Sequence, residues 1–298
     1  MRPMIGLSTA YLQKLYGDRR ALELAKKAGA DCVDIDLTHE SVDDKTSVYA
    51  CGIDRAREYY ADLYRYARGI GLIVNQTHGR IRGWTNDEAH NDSEMRAAAI
   101  DCAVTKELGA KYCVMHTVTT ISMGPDAPAP LMRGINDRMF RSILPLAREN
   151  GITVCTETFG NAEKYGCIDF FGNMDEFVWA YDRVRDEGFS DCFGVCMDTG
   201  HTNKSLPYPG QPTPAEAIRR LGDRIKVLHL HDNDTLTDQH KIPGTGTIDW
   251  KSVIAALRDI RYDGVYNLEI GLSREHFGSG FACEEAEFAV RVMRQLLR

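Results

Sequence analysis

Short apolar runs alternate with longer amphipathic stretches along the whole chain. Runs of roughly four to eight apolar residues are typical of buried β-strands, and apolar residues at helical spacing are typical of helices packed on a core. The predicted strands are 4–9, 32–37, 72–77, 112–117, 153–158, 193–198, a stretch beginning at 225, and 265–270. The predicted helices are 18–29, 53–70, 86–108, 134–150, 174–186, 214–221, 250–259 and 284–297.

Eight strand–helix pairs in this order predict an α/β protein with a single (β/α)8 barrel, also called a TIM barrel, over residues 1–298. A weak repeat supports the barrel, because 28–34 resembles 108–114 where a helix leads into a strand. An open doubly wound sheet is the alternative, but the first strand is not followed by Gly-x-Gly-x-x-Gly. The polar, proline-containing stretches 124–130 and 207–214 are predicted loops over the active face of the barrel.

Composition narrows the class of protein. The chain has 298 residues, of which 43% are hydrophobic, and a net charge of −7, which argues against nucleic acid or an anionic membrane as the main partner. No apolar run has the length of a membrane span, and the N-terminus lacks a signal-peptide pattern. The nine cysteines show no C-x-x-C spacing, and several, such as Cys113, Cys155 and Cys196, lie in apolar runs. We therefore expect reduced, buried cysteines and a cytoplasmic protein.

The stretch 225–234 begins as a strand and ends in polar residues. By the period-two rule Val227, His229 and His231 share one face, and Leu228 and Leu230 share the other. The leucine face suits packing against helices. Two imidazoles on the opposite face, followed directly by aspartates, are costly to bury unless they bind something, and a metal ion is the simplest candidate.

The predicted strand ends carry ligand-type side chains on six successive strands. One histidine at a barrel rim is more often a hydrogen-bonded polar residue than a metal ligand, and one carboxylate often caps a helix. Three carboxylates at one mouth repel each other, however, and a divalent cation relieves that repulsion. Manganese, magnesium, cobalt and zinc all suit three carboxylates with one imidazole. The predicted metal ligands are Glu157, Asp198, His231 and Glu269.

The strings 156–158, 197–201, 229–233 and 267–269 resemble those of the xylose isomerase-like TIM-barrel superfamily. That superfamily contains sugar isomerases and epimerases and the abasic-site endonucleases. In its ketose 3-epimerases four residues hold a manganese-type ion, and the matching positions here are the four predicted ligands. The resemblance also implies that Glu163 and His201 contact substrate, and His78 and His116 are further predicted contacts. The ketose 3-epimerases also have a substrate-contacting arginine six residues after the histidine ligand, and this chain has Thr237 at the matching position.

The abasic-site endonucleases of this superfamily bind three zinc ions through nine residues. All nine positions are filled here, so the ligands alone leave a multinuclear zinc site open. The acidic net charge argues against a phosphate-backbone partner. Beyond the four predicted ligands, the additional metal candidates are His78, His116, His201, Asp238 and His240.

These observations predict a divalent-metal-dependent sugar isomerase or epimerase with a small-molecule sugar as its partner. The ion is expected to stabilise the enediolate that forms when the proton beside the carbonyl leaves. Glu157 and Glu269, three strands apart, are predicted to move the proton between opposite faces of the substrate. The alternatives are a keto-sugar dehydratase or lyase, the endonuclease, and a non-catalytic sugar-binding protein. Barrels of this kind often pair, which leaves a homo-oligomer open.

Overall fold

Eight parallel strands form the wall of a barrel in the computed structural model, which describes residues 2–272 and 279–298. Consecutive strands are neighbours from β1 to β7, and β8 pairs with β1. The barrel closes between β7 and β8, where the Leu230 N–H donates to the Asn267 carbonyl at 2.9 Å. This topology confirms the predicted TIM barrel. The strands are β1 (Ile5–Ser8), β2 (Cys32–Asp36), β3 (Ile73–His78), β4 (Tyr112–Met115), β5 (Thr153–Glu157), β6 (Phe193–Asp198), β7 (Ile225–His229) and β8 (Tyr266–Leu268).

The α-helices follow the strands, as the amphipathic stretches predicted. Three short ones, at 10–16, 120–123 and 199–205, were not predicted. The predicted loop 124–130 ends early because α6 already begins at Ala129, with Pro130 in its first turn, where a missing N–H costs nothing. The helices are α1 (Ala10–Tyr16), α2 (Asp18–Lys27), α3 (Ile53–Gly69), α4 (Glu88–Glu107), α5 (Thr120–Met123), α6 (Ala129–Asn150), α7 (Met174–Val184), α8 (Thr199–Ser205), α9 (Pro214–Leu221), α10 (Trp250–Asp259) and α11 (Ala282–Leu296).

Two layers of buried side chains hold the barrel together. The larger layer lies between strands and helices and includes Leu228 and Leu230, on the face predicted for them. A small layer inside the barrel consists of Val114, Cys155, Cys196 and Val227. Side chains alternate along a strand, so the residues two positions after this inner layer also face the barrel interior. They lie at the carboxyl ends of the strands, where the candidate site is found.

The cysteines and the helix lengths agree with the composition. Cys113, Cys155 and Cys196 are buried, as predicted, and all nine cysteines are free thiols, whereas Cys51 is exposed. Across the described parts of the chain, no helix is both long and apolar enough to span a bilayer.

Candidate active site

Four buried side chains meet at the carboxyl ends of neighbouring strands. Glu157 ends β5, Asp198 ends β6 and His229 ends β7, while Glu269 directly follows β8. One ligand atom of each lies within 4.8 Å of a ligand atom of every other, and none of the four is more than 8% exposed. Parallel strands deliver their last side chains to one rim, so residues far apart in sequence become neighbours.

In the described part of the chain, only histidines lie within ion-pair distance of the three carboxylates of this cluster. Within the described residues, no lysine or arginine nitrogen lies within 4.0 Å of Glu157, Asp198 or Glu269. The Glu157 Oε1 is 2.9 Å from His229 Nδ1, and its Oε2 is 3.0 Å from His116 Nε2. Buried carboxylates are costly without cationic partners. Three carboxylates beside imidazoles are a donor set that fits a divalent cation.

The neighbouring histidines shift the pKa values of two carboxylates downward. Burial is the largest influence on the pKa of Glu157 and acts to raise it, but His229 and His116 outweigh it and hold the pKa well below its usual range. Burial also acts to raise the pKa of Asp198, and His201 and His231 together lower it below its ordinary value. Both carboxylates are thus ionised at neutral pH and available as ligands or proton acceptors.

Two histidines lie close enough to the three carboxylates to complete a set of four ligands, His229 and the predicted His231. His229 groups with all three carboxylates. The His231 Nε2 is 3.1 Å from the Asp198 carboxylate, but its ring stacks on that of His240, with 4.0 Å between centroids. The physical reason is that β7 ends at His229, so His231 lies one pleat further out. That His231 binds the ion stays a prediction, and the geometry favours His229.

A second polar cluster lies beside the first and contains three of the predicted additional metal residues. His201, Asp238 and His240 group with His231 within the same 4.8 Å limit. The Asp238 carboxylate is 3.4 Å from His201 Nε2 and 3.3 Å from His240 Nε2. Burial acts to lower the pKa of His201, but Asp198 and Asp238 raise it to about 10. Burial likewise acts to lower the pKa of His240, and Asp238 raises it to about 9.

The other predicted residues lie around Glu157, with one exception. The Nε2 atoms of His78 and His116 are 3.4 and 3.0 Å from the Glu157 carboxylate. Glu163 is the exception, since its Oε1 accepts hydrogen bonds from the Asp238 N–H and from Lys204 Nζ, both at 2.8 Å. Sequence reasoning missed the buried Lys204. The signal for it is weak, namely a basic residue three positions after His201 in a polar stretch.

A cavity of about 690 Å³ opens over these side chains. The predicted substrate contacts His78, His116 and His201 line it together with Glu157 and Glu269. Glu163 is absent from the described residues that line it. The remaining wall comes from α1, the start of α2, the end of β2 and the segment after it, and includes Tyr11, Gln13, Lys14, Asp18, Asp36, Thr38 and His39.

Comparison with known proteins places this barrel in a family. A D-psicose 3-epimerase of Enterocloster bolteae is 36% identical over 225 residues, which cover 72% of this chain and 66% of that protein. A probable endonuclease 4 of a Geobacillus strain is 29% identical over 153 residues, covering 48% of this chain and 47% of the relative. The chain spans about half the length of the first curated relatives that it matches.

The fold comparison agrees with the sequence comparison. The crystal structure of a D-psicose 3-epimerase with D-tagatose from Clostridium cellulolyticum superposes with a TM-score of 0.71 over 99% of both chains at 15% identity. The family model described as xylose isomerase-like TIM barrel matches residues 22–295. The chain therefore belongs to the xylose isomerase-like TIM barrel family.

Proposed function

We propose that this protein is a divalent-metal-dependent sugar isomerase or epimerase. The observation that carries the proposal is the group of three buried carboxylates with no lysine or arginine beside them in the described residues. Glu157, Asp198 and Glu269 would hold the ion together with one imidazole, which is His231 in the predicted set and His229 in the grouping of this structure. The similarity to a D-psicose 3-epimerase supports a ketose as the substrate.

The two glutamates are the proposed acid–base residues. A bound divalent ion would polarise the substrate carbonyl and lower the cost of the negative charge that develops as the neighbouring proton leaves. Glu157 and Glu269 come from β5 and from the end of β8, so they reach the substrate from different directions. One accepts the proton and the other returns it to the opposite face, which inverts the carbon. His201 lines the cavity and is the proposed contact to a substrate oxygen.

The test follows a proton in deuterated water. With D-psicose as the probe, the wild-type protein should place deuterium on the carbon beside the carbonyl. Glu157→Gln and Glu269→Gln should each lower turnover by about 10²- to 10⁴-fold, because each removes one proton acceptor. Either variant should still exchange deuterium into recovered substrate from one face.

The controls separate loss of a base from loss of metal. Manganese content is measured beside each rate, because the same carboxylates are proposed ligands. Glu149→Gln, an exposed change of the same chemistry on α6, should leave turnover unchanged. Product that forms without solvent deuterium would remove the two-glutamate mechanism.

A second candidate function is abasic-site DNA incision by a multinuclear zinc site. The observation that favours it is the presence of two further ligand groups, His78 with Glu157 and His229, and the second cluster around Asp238. Metal content decides between the candidates, since one equivalent per chain supports the sugar reaction and three support the endonuclease. Incision of a duplex containing an abasic site by the wild-type protein would establish the second function directly.

A further inference from the structure

One carboxylate at the rim of the cavity belongs neither to the carboxylate cluster nor to the cluster around Asp238. Asp36 ends β2, which puts it at the same end of the barrel as the other strand-end side chains. It has the parity of Asp34, whose carboxylate lies 3.0 Å from His229 Nε2 inside the barrel, so Asp36 faces the interior one pleat further out. Its side chain is only 9% exposed, yet it lines the cavity. A carboxylate that is buried at such a place calls for hydrogen-bond donors.

The protein itself supplies only part of the donors that Asp36 can accept from. The Thr38 N–H donates to Oδ1 at 3.3 Å, and Nδ1 of His39 lies 3.1 Å from Oδ2. Among the described residues these are the two hydrogen-bond contacts of the carboxylate, and neither lysine nor arginine pairs with it. An ionised carboxylate offers roughly four acceptor positions, so about two stay open on the cavity side. Donors in a ligand can use these positions.

Helix α1 holds the end of β2 in place through Gln13. The buried Gln13 side chain accepts from the Asp36 N–H at 3.0 Å and donates to the Asp36 carbonyl at 3.1 Å. Its amide also donates to Asp18, at the start of α2, at 3.0 Å. These bonds fix the backbone that carries the Asp36 carboxylate, so this side chain can meet a ligand with little reorganisation.

Asp36 is separated from the two proposed acid–base residues along the barrel wall. β2 is two strands from β8, which Glu269 follows, and three strands from β5, which ends in Glu157. Neighbouring strands are about 4.8 Å apart, so the end of β2 lies roughly 10 Å around the wall from the end of β8. A sugar whose carbonyl end lies over the carboxylate cluster therefore reaches Asp36 with atoms several bonds away from the reacting carbon.

We infer that Asp36 is a specificity-determining residue that accepts a hydrogen bond from the hydroxyl at the end of the sugar chain remote from the carbonyl. The inference rests on the proposed function and deepens it, because it adds to a ketose substrate the requirement for a hydroxyl at the far end. A sugar with an apolar end would cover this carboxylate without replacing its water by a donor. Loss of a hydrogen bond to a charged group typically lowers affinity by about 10- to 100-fold.

The experiment compares D-psicose with 6-deoxy-D-psicose, which lacks only the hydroxyl on the last carbon. The wild-type protein with Mn²⁺ should have a kcat/KM about 10- to 100-fold higher for D-psicose. Asp36→Ala should reduce this ratio to about one, by lowering kcat/KM for D-psicose while that for the deoxy sugar stays nearly unchanged. Asp36→Asn keeps one acceptor oxygen and should retain part of the ratio. A purely structural role of Asp36 would lower both values together and leave the ratio as in the wild type.

Asp169→Asn is the matched control for the loss of a buried carboxylate. Asp169 is also fully buried, but it caps backbone N–H groups and is not among the described residues that line the cavity. This variant should keep the wild-type ratio, even if it lowers stability. If Asp36→Ala does not fold, Asp36→Asn decides, because a ratio equal to that of the wild type in this variant overturns the inference.

Calorimetric binding of both sugars separates this inference from the proposed function. Turnover of D-psicose with the same kcat/KM for the two sugars overturns the role of Asp36 and leaves the epimerase proposal standing. Tighter binding of D-psicose that is lost in Asp36→Ala, without any turnover by the wild-type protein, removes the epimerase and supports the role of Asp36. If the wild-type protein neither binds nor converts either sugar, both proposals fall.

Discussion

At the scale of single residues, the position where a strand ends decides what a histidine can do. His229 and His231 have the same parity and are both fully buried. His229 lies inside the barrel between Asp34 and Glu157, while His231 packs against His240 at the rim. A two-residue step along the chain thus separates a place beside three carboxylates from a place in the neighbouring cluster.

The two histidines should respond differently to the same substitution. His229→Asn should lower Mn²⁺ affinity by more than about 100-fold, because it removes a proposed ligand. About 100-fold is the upper end of the loss that is typical when only the hydrogen-bond partner of a ligand is removed. His231→Asn should change the Mn²⁺ affinity by less. Equilibrium dialysis with Mn²⁺ alone measures both. If His231→Asn loses the ion and His229→Asn keeps it, the predicted ligand set is correct and the geometric assignment is not.

At this scale the sequence predicts which face of a strand a side chain takes. It does not predict how deep in the barrel that side chain lies. The faces of Leu228 and His229 follow from alternation. The end of β7 depends on its pairing with β8, which involves residues almost forty positions away. Asp34 and Lys204 were missed for a similar reason, because a single polar residue in an apolar or polar stretch carries no pattern until its partners are known.

At the scale of elements, α8 shows how tertiary contacts can form a helix that propensity does not favour. Its seven residues are all buried, yet they include threonine, glycine and asparagine, which are weak helix formers. Asp198 caps it by accepting a hydrogen bond from the His201 N–H at 2.5 Å. Asn203 holds it to the loop after β7 through Asn233 at 2.8 Å. The strands and longer helices were predictable because their apolar periodicity is strong, and α8 has none.

Gly200 in α8 should tolerate no side chain. A Cβ atom there would lie 1.9 Å from Cε1 of His231, a fully buried ring that has little room to move. Gly200→Ala should therefore lower the free energy of unfolding by about 1–3 kcal/mol. Gly134→Ala is the control, since Gly134 lies inside α6 with open space around it and should gain about 0.5–1 kcal/mol. Urea denaturation measures both, and equal effects would contradict the packing argument.

His39, in the segment after β2, should make a pH-dependent contribution to the free energy of unfolding. Hydrogen bonds to Asp36 and then Glu40 raise the pKa of His39 to about 10. A raised pKa in the folded state contributes stability that is complete below the unfolded value of about 6.5 and is lost as pH rises through about 10. The His39 side chain is half exposed, so we expect this contribution to the free energy of unfolding to be less than about 1 kcal/mol.

The measurement is the difference in unfolding free energy between the wild-type protein and His39→Gln across pH 6 to 10. The difference should favour the wild type at pH 6 and shrink towards pH 10. Lys14→Gln, an exposed change on α1, should give a difference without this slope. A difference that grows with pH would contradict the assigned ion pairs.

At the scale of the whole molecule, the proposed metal centre connects parts of the chain that are far apart in sequence. Its four residues come from β5, β6, β7 and the end of β8, with more than one hundred positions between the first and the last. Their mutual repulsion acts across the barrel rather than within one element. An ion bound there would therefore act on the global unfolding equilibrium and not on a local one.

Removal of metal should consequently lower the melting temperature of the entire fold. An ion that binds only the folded state adds about 2.7 kcal/mol at a free concentration one hundred times its Kd, which for a domain of this size is roughly 5 °C. Thermal unfolding followed by circular dichroism should show this loss in EDTA and its recovery when Mn²⁺ is restored. His229→Asn at the same Mn²⁺ concentration should recover little, because it lacks a proposed ligand. A wild-type melting temperature that is the same in EDTA and in Mn²⁺ would mean that the carboxylates at the barrel mouth are balanced by their histidines alone, and the metal-dependent mechanism would have to be replaced.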